Sequence, residues 1–141
     1  MTIETAMFSY LSGKSTITDI VSTRIYATIA PSSVVYPHIT FKILAEAPEH
    51  DMEGAIGLTR VLMQLDAWAF NVAERQNIAE ALRKALDGFT GLMGSEELVI
   101  RQCLMENRTT FDEPDPHGRN LPVFRSSLDF AIWHVESLPT L

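Results

Sequence analysis

Two aspartates in similar runs are the first candidates for chemistry in this chain. Asp66 follows a leucine in RVLMQLDAWA, and Asp129 follows a leucine in RSSLDFAIWH. Two carboxylates on neighbouring strands could act as a general acid and a general base, because unequal surroundings separate the pKa values of such a pair. Apolar residues flank both aspartates, so an arginine partner, a capped amide or exposure to solvent explains them better than catalysis.

The sequence lacks the spacing of a metal site. None of its four histidines stands three or four residues from another histidine or from Cys103. A loop offers the acidic group Asp112, Glu113, Asp115 and His117, but it lacks the ligand number and the turn glycine of a calcium loop. We therefore expect a solvated acidic loop, no metal and no other cofactor. The histidines are His38, His50, His117 and His134.

Nucleophile and phosphate motifs are missing too. There is no G-x-S-x-G sequence, and Gly88, Gly91 and Gly94 follow a predicted helix, whereas a phosphate-binding loop precedes one. Cys103 lies alone in a strand-like run, where a free cysteine behaves as a small buried hydrophobe. These patterns predict no enzyme, and the single cysteine fits a reducing compartment.

Composition predicts one domain over residues 1–141. The 46% hydrophobic content is enough for a core in a chain of this length. A formal charge of −7 and scattered basic residues argue against specific nucleic-acid binding. The sequence has no run of about 20 apolar residues and no signal-peptide pattern, so we expect no membrane partner.

Apolar periodicity predicts the elements that position these residues. Together they predict an α+β fold: a mostly antiparallel sheet of about four strands, one long helix packed on one face, and two short N-terminal helices. The predicted order is a helix over 3–11, a helix capped by Thr16 and ending near Arg24, an irregular crossing over 25–37, a strand over 38–44, a loop over 45–57, a strand over 60–69, a helix capped by Asn71 with Glu74 and ended by Gly88, a strand over 97–106, a loop over 111–120 and a strand over 125–134.

Two tryptophans have two interpretations. Trp68 and Trp133 could be anchors for a partner, since large aromatic side chains are common at the centre of interfaces. They could equally pack in the core against the helix. Their alternation phase is shared with Asp66 and Asp129, which places them on the less apolar face of the predicted sheet.

Several segments, taken in series, resemble a known viral family. Over nearly the whole chain and in the same order they resemble the tail-completion family of long-tailed phages and prophages, also called tail-terminator or tail-to-head joining proteins. The segments are Arg24-Ile25-Tyr26, Val35-Tyr36-Pro37-His38-Ile39, Gln64-Leu65-Asp66-Ala67-Trp68-Ala69, Ala85-Leu86-Asp87-Gly88-Phe89 and Arg125-Ser126-Ser127-Leu128-Asp129-Phe130-x-Ile132-Trp133.

The resemblance implies a structural virion protein and no enzyme. It implies a ring, expected to be a hexamer, at the head-proximal end of the tail tube. Such a ring stops tail growth and joins the tail to the head. The implied partners are copies of the chain itself, the tail tube protein and a head-completion or neck protein, with assembly in the host cytoplasm and residence in the virion tail.

A ring requires two different faces on each subunit, and loops are natural suppliers of such faces. The hypothesis is that the acidic loop from Glu46 to Glu53 and the loop from Asp112 to Arg119 contact neighbours or line the lumen, where negative charge would repel passing DNA. The candidate interface residues are Glu46, Glu49, Asp51, Glu53, Asp112, Asp115 and Arg119.

Two alternatives stay open at this point. Another neck component, such as a head-completion or adaptor protein, would share the size, the acidity and the ring. A small enzyme or ligand-binding domain would instead require a deep pocket near Asp66 or Asp129.

Overall fold

The described part of the chain contains six strands and three helices. The computed structural model describes residues 2–52, 54–95, 97–114 and 122–135. Along the chain the elements are α1 (Ile3–Ser12), α2 (Ser15–Val21), β1 (Ile25–Ala27), β2 (His38–Asp51), β3 (Gly54–Ala69), α3 (Val72–Leu86), β4 (Gly91–Met93), β5 (Leu98–Pro114) and β6 (Pro122–Val135).

The strands form one mixed sheet in the order β1-β2-β3-β6-β5-β4. The four long strands β2, β3, β6 and β5 are antiparallel neighbours, and β4 adds an antiparallel edge. At the other edge β1 runs parallel to β2. The predicted fold of four strands with one long helix is therefore wrong: the sheet has six strands, and the longest of the three helices has 15 residues.

The missed strands and the wrong loops have separate causes. β1 and β4 have three residues each, which is too short to show an alternating pattern. Residues 45–51 and 54–57 of the first predicted loop instead continue β2 and β3, and residues 111–114 of the second continue β5, because backbone pairing with the next strand overrides low strand propensity. The rest of the second predicted loop, 115–120, lies outside the described residues. Two register irregularities in β2 accommodate this extension, one of them beside Pro48.

All three helices bury their apolar sides against one face of the sheet. Helix residues such as Met7, Ile17 and Leu82 share a core with Met63 and Phe130 of the central strands, and all five are 0% exposed. The predicted first helix is confirmed, with its end at Ser12 and Gly13. The second helix begins at Ser15, with Lys14 as its N-cap, so the predicted cap at Thr16 is wrong. No described helix is long and apolar enough to cross a bilayer.

Helix α3 begins and ends where the sequence predicts. The Asn71 side chain accepts a hydrogen bond from the Glu74 backbone N–H at 2.8 Å, which satisfies a donor in the first turn. After the helix, Gly88 adopts a φ of +85°, which favours glycine, and its N–H donates to the Cys103 carbonyl at 2.7 Å. Asp87 accepts from the Met105 N–H, so the end of α3 covers part of the outer edge of β5.

The crossing segment before β2 forms a second, smaller core. Ala30, Val34 and Tyr36 are buried together with Val123, on the sheet face opposite the helices. Trp68 and Phe70 pack against this cluster. The irregular segment predicted over 25–37 therefore covers one end of the helix-free face.

Removing the N-cap of α3 should lower stability measurably. Asn71→Ala leaves the Glu74 N–H without its side-chain acceptor, and the expected loss is about 1 kcal/mol of unfolding free energy. The matched control is Asn77→Ala, an exposed asparagine inside the same helix, for which we expect a change within about 0.5 kcal/mol. Urea unfolding followed by circular dichroism measures both, and equal losses in the two variants would contradict the capping role.

The Cys103 thiol should not react in the folded protein. Burial, and secondarily the charge of Asp87, raises the pKa of this thiol to about 12, and the residue is 0% exposed. Thiolate is therefore scarce at neutral pH, and reagent has no access. We expect Ellman's reagent at pH 8 to label Cys103 only after addition of denaturant. Rapid labelling of the native protein would contradict this placement.

Candidate functional site

The two similar runs noted in the sequence are paired with each other in the sheet. They form the antiparallel partners β3 and β6, with Arg60 opposite Trp133 and Arg125 opposite Trp68. Each arginine lies over the ring of the tryptophan opposite, at 5.4 Å for Arg60 and 4.9 Å for Arg125. Each such cation–π contact stabilises by about 0.5–2 kcal/mol, depending on exposure. The same spacing in both runs thus makes the pairing locally symmetric.

A row of aromatic rings in contact, which we call the ring row, crosses the helix-free face at the end where β2 begins. Tyr36 stacks on Phe70 with centroids 4.3 Å apart and meets His38 edge-on at 4.5 Å. His38 in turn stacks on Trp68 at 5.8 Å. The Trp68 indole N–H donates to the Thr40 hydroxyl at 2.9 Å, which fixes the ring in the row.

Arg125 continues this row toward β5. Its guanidinium lies 4.9 Å from the Trp68 ring and 4.3 Å from the Phe111 ring. Phe111 is 39% exposed, so one of the two aromatic rings that contact the cation is open to solvent. The arginine is therefore a fixed positive charge at the surface of the sheet, held by aromatic rings.

A polar network follows the ring row along the same face. The carboxylate of Asp66 accepts from the Ser127 hydroxyl and, at 2.9 Å, from the Gln64 amide. Asp129 lies opposite Gln64. Burial raises the pKa of Asp129, the charge of Asp66 raises it further, and a hydrogen bond with Asn107 lowers it. The structure thus brings the two aspartates together, on the face that their alternation predicts.

A cavity of about 350 Å³ opens between the ring row and the crossing segment. Arg125 and Lys42 supply positive charge to its lining, and Asp66 supplies a carboxylate that already accepts two hydrogen bonds. Its lining residues are Thr28, Ile29, Ala30, Tyr36, His38, Thr40, Lys42, Asp66, Trp68 and Arg125.

This cavity is the concave feature that the ligand-binding alternative requires, and its chemistry suits recognition. A cation held by aromatic rings, such as Arg125, beside apolar and aromatic walls attracts an anionic group attached to an apolar body. A larger cavity of about 580 Å³ lies by the N-terminus of α1 and includes Glu4, Glu46 and Glu97 in its lining. Among the described residues, no three histidine, cysteine or acidic side chains are grouped as a metal site would need.

The candidate interface residues lie at opposite ends of the sheet. Glu46 is exposed and Glu49 half-buried on β2, and Asp51 is the last residue of that strand. Asp112 lies near the far end of β5, where its exposed carboxylate is 3.4 Å from Arg75. Among the described candidates, Asp112 therefore does not lie near Glu46, Glu49 or Asp51. Three further candidates lie outside the described residues, namely Glu53, Asp115 and Arg119.

Sequence reasoning missed most of the ring row. Tyr36, His38 and Phe111 fall in segments predicted as a crossing, a strand start and a loop, so nothing along the chain connects them. The signal available in the sequence was the similarity of the two runs: when they pair as antiparallel neighbours in the observed register, Arg125 lies beside Trp68. Trp68 and Trp133 are both half-buried on the helix-free face, which excludes packing in the main core.

Comparison with known proteins gives a family and a fold. A sequence profile of the family described as Tail completion protein gp17 matches residues 5–134. No curated protein matches the sequence. Among solved structures, a chain of the "Virion of native gene transfer agent (GTA) particle" superposes with a TM-score of 0.73 at 15% identity, covering 96% of this chain and 95% of that chain. At this identity the superposition shows a shared fold.

Ionisation of Asp129 should reduce stability. Its folded-state pKa lies above the ordinary value of 3.8, so the loss begins as pH rises through 3.8 and is complete above the folded-state pKa. We expect Asp129→Asn to raise Tm relative to the native chain at pH 7 and to have no such effect below pH 3.8. Thermal melts of both chains across this range test the expectation.

The control for this series is Asp19→Asn, which changes an exposed carboxylate on α2. Its difference in Tm from the native chain should stay near zero at every pH. An Asp129→Asn difference that does not vary with pH would show that amide packing, and not charge, causes the effect.

Proposed function

The chain belongs to the tail completion protein gp17 family, and from this premise we propose that it assembles as a ring, expected to be a hexamer, at the head-proximal end of a tail tube. Family membership makes it a structural protein of the virion tail with a tail-completion role. The family match over residues 5–134 carries the proposal, because it includes all but the first two residues of α1 and the last residue of β6 among the helices and strands. The fold shared with a chain of a gene transfer agent virion supports it.

The proposed ring ends tail growth by covering the last tube subunits and offering a new surface to the head. Its partners are other copies of the chain, the tail tube protein and a head-completion or neck protein. Every contact in a ring of more than two subunits joins two different surfaces, and opposite ends of the long strands offer such surfaces. We assign the end of the β2–β3 hairpin with Glu46, Glu49 and Asp51, which Glu53 follows along the chain, to one contact or to the lumen.

The opposite end would supply the second contact. Asp112 lies there, followed along the chain by Asp115 and Arg119. A lumen with negative charge would repel the DNA phosphates that pass through it, which suits a conduit. In this proposal the protein acts through non-covalent contacts with its partners and catalyses no reaction, so Asp66 and Asp129 have a structural role.

Loss of the protein should produce tails of uncontrolled length that are not joined to heads. Deleting its gene in the phage or prophage that encodes it removes the surface that stops tube growth. We expect abnormally long tails that lack heads, and electron microscopy of the lysate measures tail length and head attachment. The control is the native gene supplied from a plasmid, which should restore joined tails of uniform length.

Two other outcomes would change the assignment. Headless tails of normal length would point to a neck protein that acts after termination. Joined particles of normal length would contradict a role in tail completion.

A further inference from the structure

A cavity with aromatic walls, two cations and one carboxylate lies toward one end of the long strands β2 and β3, and an acidic strand arm forms their other end. The cavity lies where β2 begins and β3 ends, between Trp68, Arg125 and the crossing segment. The arm is the far part of the β2–β3 hairpin, formed by Ala45 to Asp51 of β2 and the residues of β3 paired with them. Since β1 pairs only with residues 39–41, β2 is at the edge of the sheet from Lys42 to Asp51. At about 3.3 Å per residue, this stretch is about 30 Å long.

We propose that the arm of one subunit docks in the cavity of the next, so that Glu46 and Glu49 meet Lys42 and Arg125 of a second copy of this chain. This inference rests on the proposed ring and names the surfaces that build it. The contact is heterologous, and each subunit carries one arm and one cavity, so repetition of a single contact closes a ring.

Charge complementarity identifies the second copy as the occupant. The chain as a whole carries −7, yet the cavity has two cations, Arg125 and Lys42, in its lining against one carboxylate, Asp66, which already accepts hydrogen bonds from Gln64 and Ser127. Opposite charges in such a contact accelerate association and fix its register. The arm carries Glu46, which is exposed beside the larger cavity near α1, and the half-buried Glu49, and its strand edge also offers backbone groups.

The cavity is suited to hold an inserted segment. Arg125 is fixed between Trp68 and Phe111, so little side-chain freedom is lost when it binds a carboxylate. Ile29, a lining residue that is 78% exposed, adds apolar surface to the cavity. Apolar surface around a charged contact excludes water and strengthens it.

Site-directed cross-linking tests the contact. In a Cys103→Ala background, cysteines replace Ile29 at the cavity and Ala47, an exposed residue of the arm that leaves both glutamates in place, and a short bis-maleimide reagent joins them. We expect covalent dimers and higher oligomers from purified particles, because every chain carries both positions. The matched control pairs Ile29→Cys with Asp19→Cys, an exposed acidic position on α2, and should give monomers.

Charge variants test the chemistry of the contact. Lys42→Glu alone, or Glu46→Lys with Glu49→Lys, should lower the cross-linking yield about fivefold or more, because like charges then face each other. The triple variant that exchanges all three charges should recover most of the yield. Thermal melts identify any variant that fails to fold, and the remaining variants decide the result.

The outcomes separate this inference from the proposed function. Monomers only from intact particles with joined tails of normal length would overturn the arm-and-cavity contact and leave tail completion standing. Yields unchanged by charge reversal would also overturn it, since the contact would not depend on these side chains. Normal tails after gene deletion would instead remove the premise of a ring at the end of the tail.

Discussion

The register between β3 and β6 is the constraint on which the rest of the structure depends. These strands are the two central neighbours of the sheet, and a shift of one residue would turn every side chain to the other face. The matched pairs Arg60–Trp133 and Arg125–Trp68 fix the register on the helix-free face. On the other face, Met63 opposite Phe130 fills the core beneath the helices.

That register divides the sheet into a buried apolar face and a face that carries charged and aromatic side chains. The helix-covered face is apolar, and its interior residues are almost completely buried. The opposite face carries rings, cations and a hydrogen-bonded carboxylate around Asp66. Burying polar groups without hydrogen-bond partners costs free energy, and here the polar groups of this face already bind one another within the subunit. The molecule can therefore present charge and aromatic surface on a rigid sheet.

The unequal lengths of the strands make the two ends of the sheet different from each other. β2, β3, β5 and β6 are 14–17 residues long, whereas the outer strands β1 and β4 have three residues. The long hairpins extend beyond these short neighbours in opposite directions. Two unlike ends on one rigid body are what a closed ring of identical subunits requires. The family assignment and this geometry agree in pointing to assembly.

The sequence by itself determined the local features of this protein. Asn71 and Gly88 fix the limits of α3 because capping and left-handed backbone are local properties. Alternation in β3 and β6 assigned Asp66, Trp68 and their counterparts to one face, and the series of short motifs indicated the family. These inferences needed only the neighbours of a residue along the chain.

Only the tertiary structure decided the number of strands, their lengths and the site. The acidic stretch from Ala45 to Asp51 has loop composition, yet it is a strand because β3 supplies hydrogen-bond partners along it. Phe111 and His38 belong to one ring row because Arg125 and Trp68 lie between them in space. Pairing between distant segments outweighs local propensity, and no pattern within a single segment records which segments will pair.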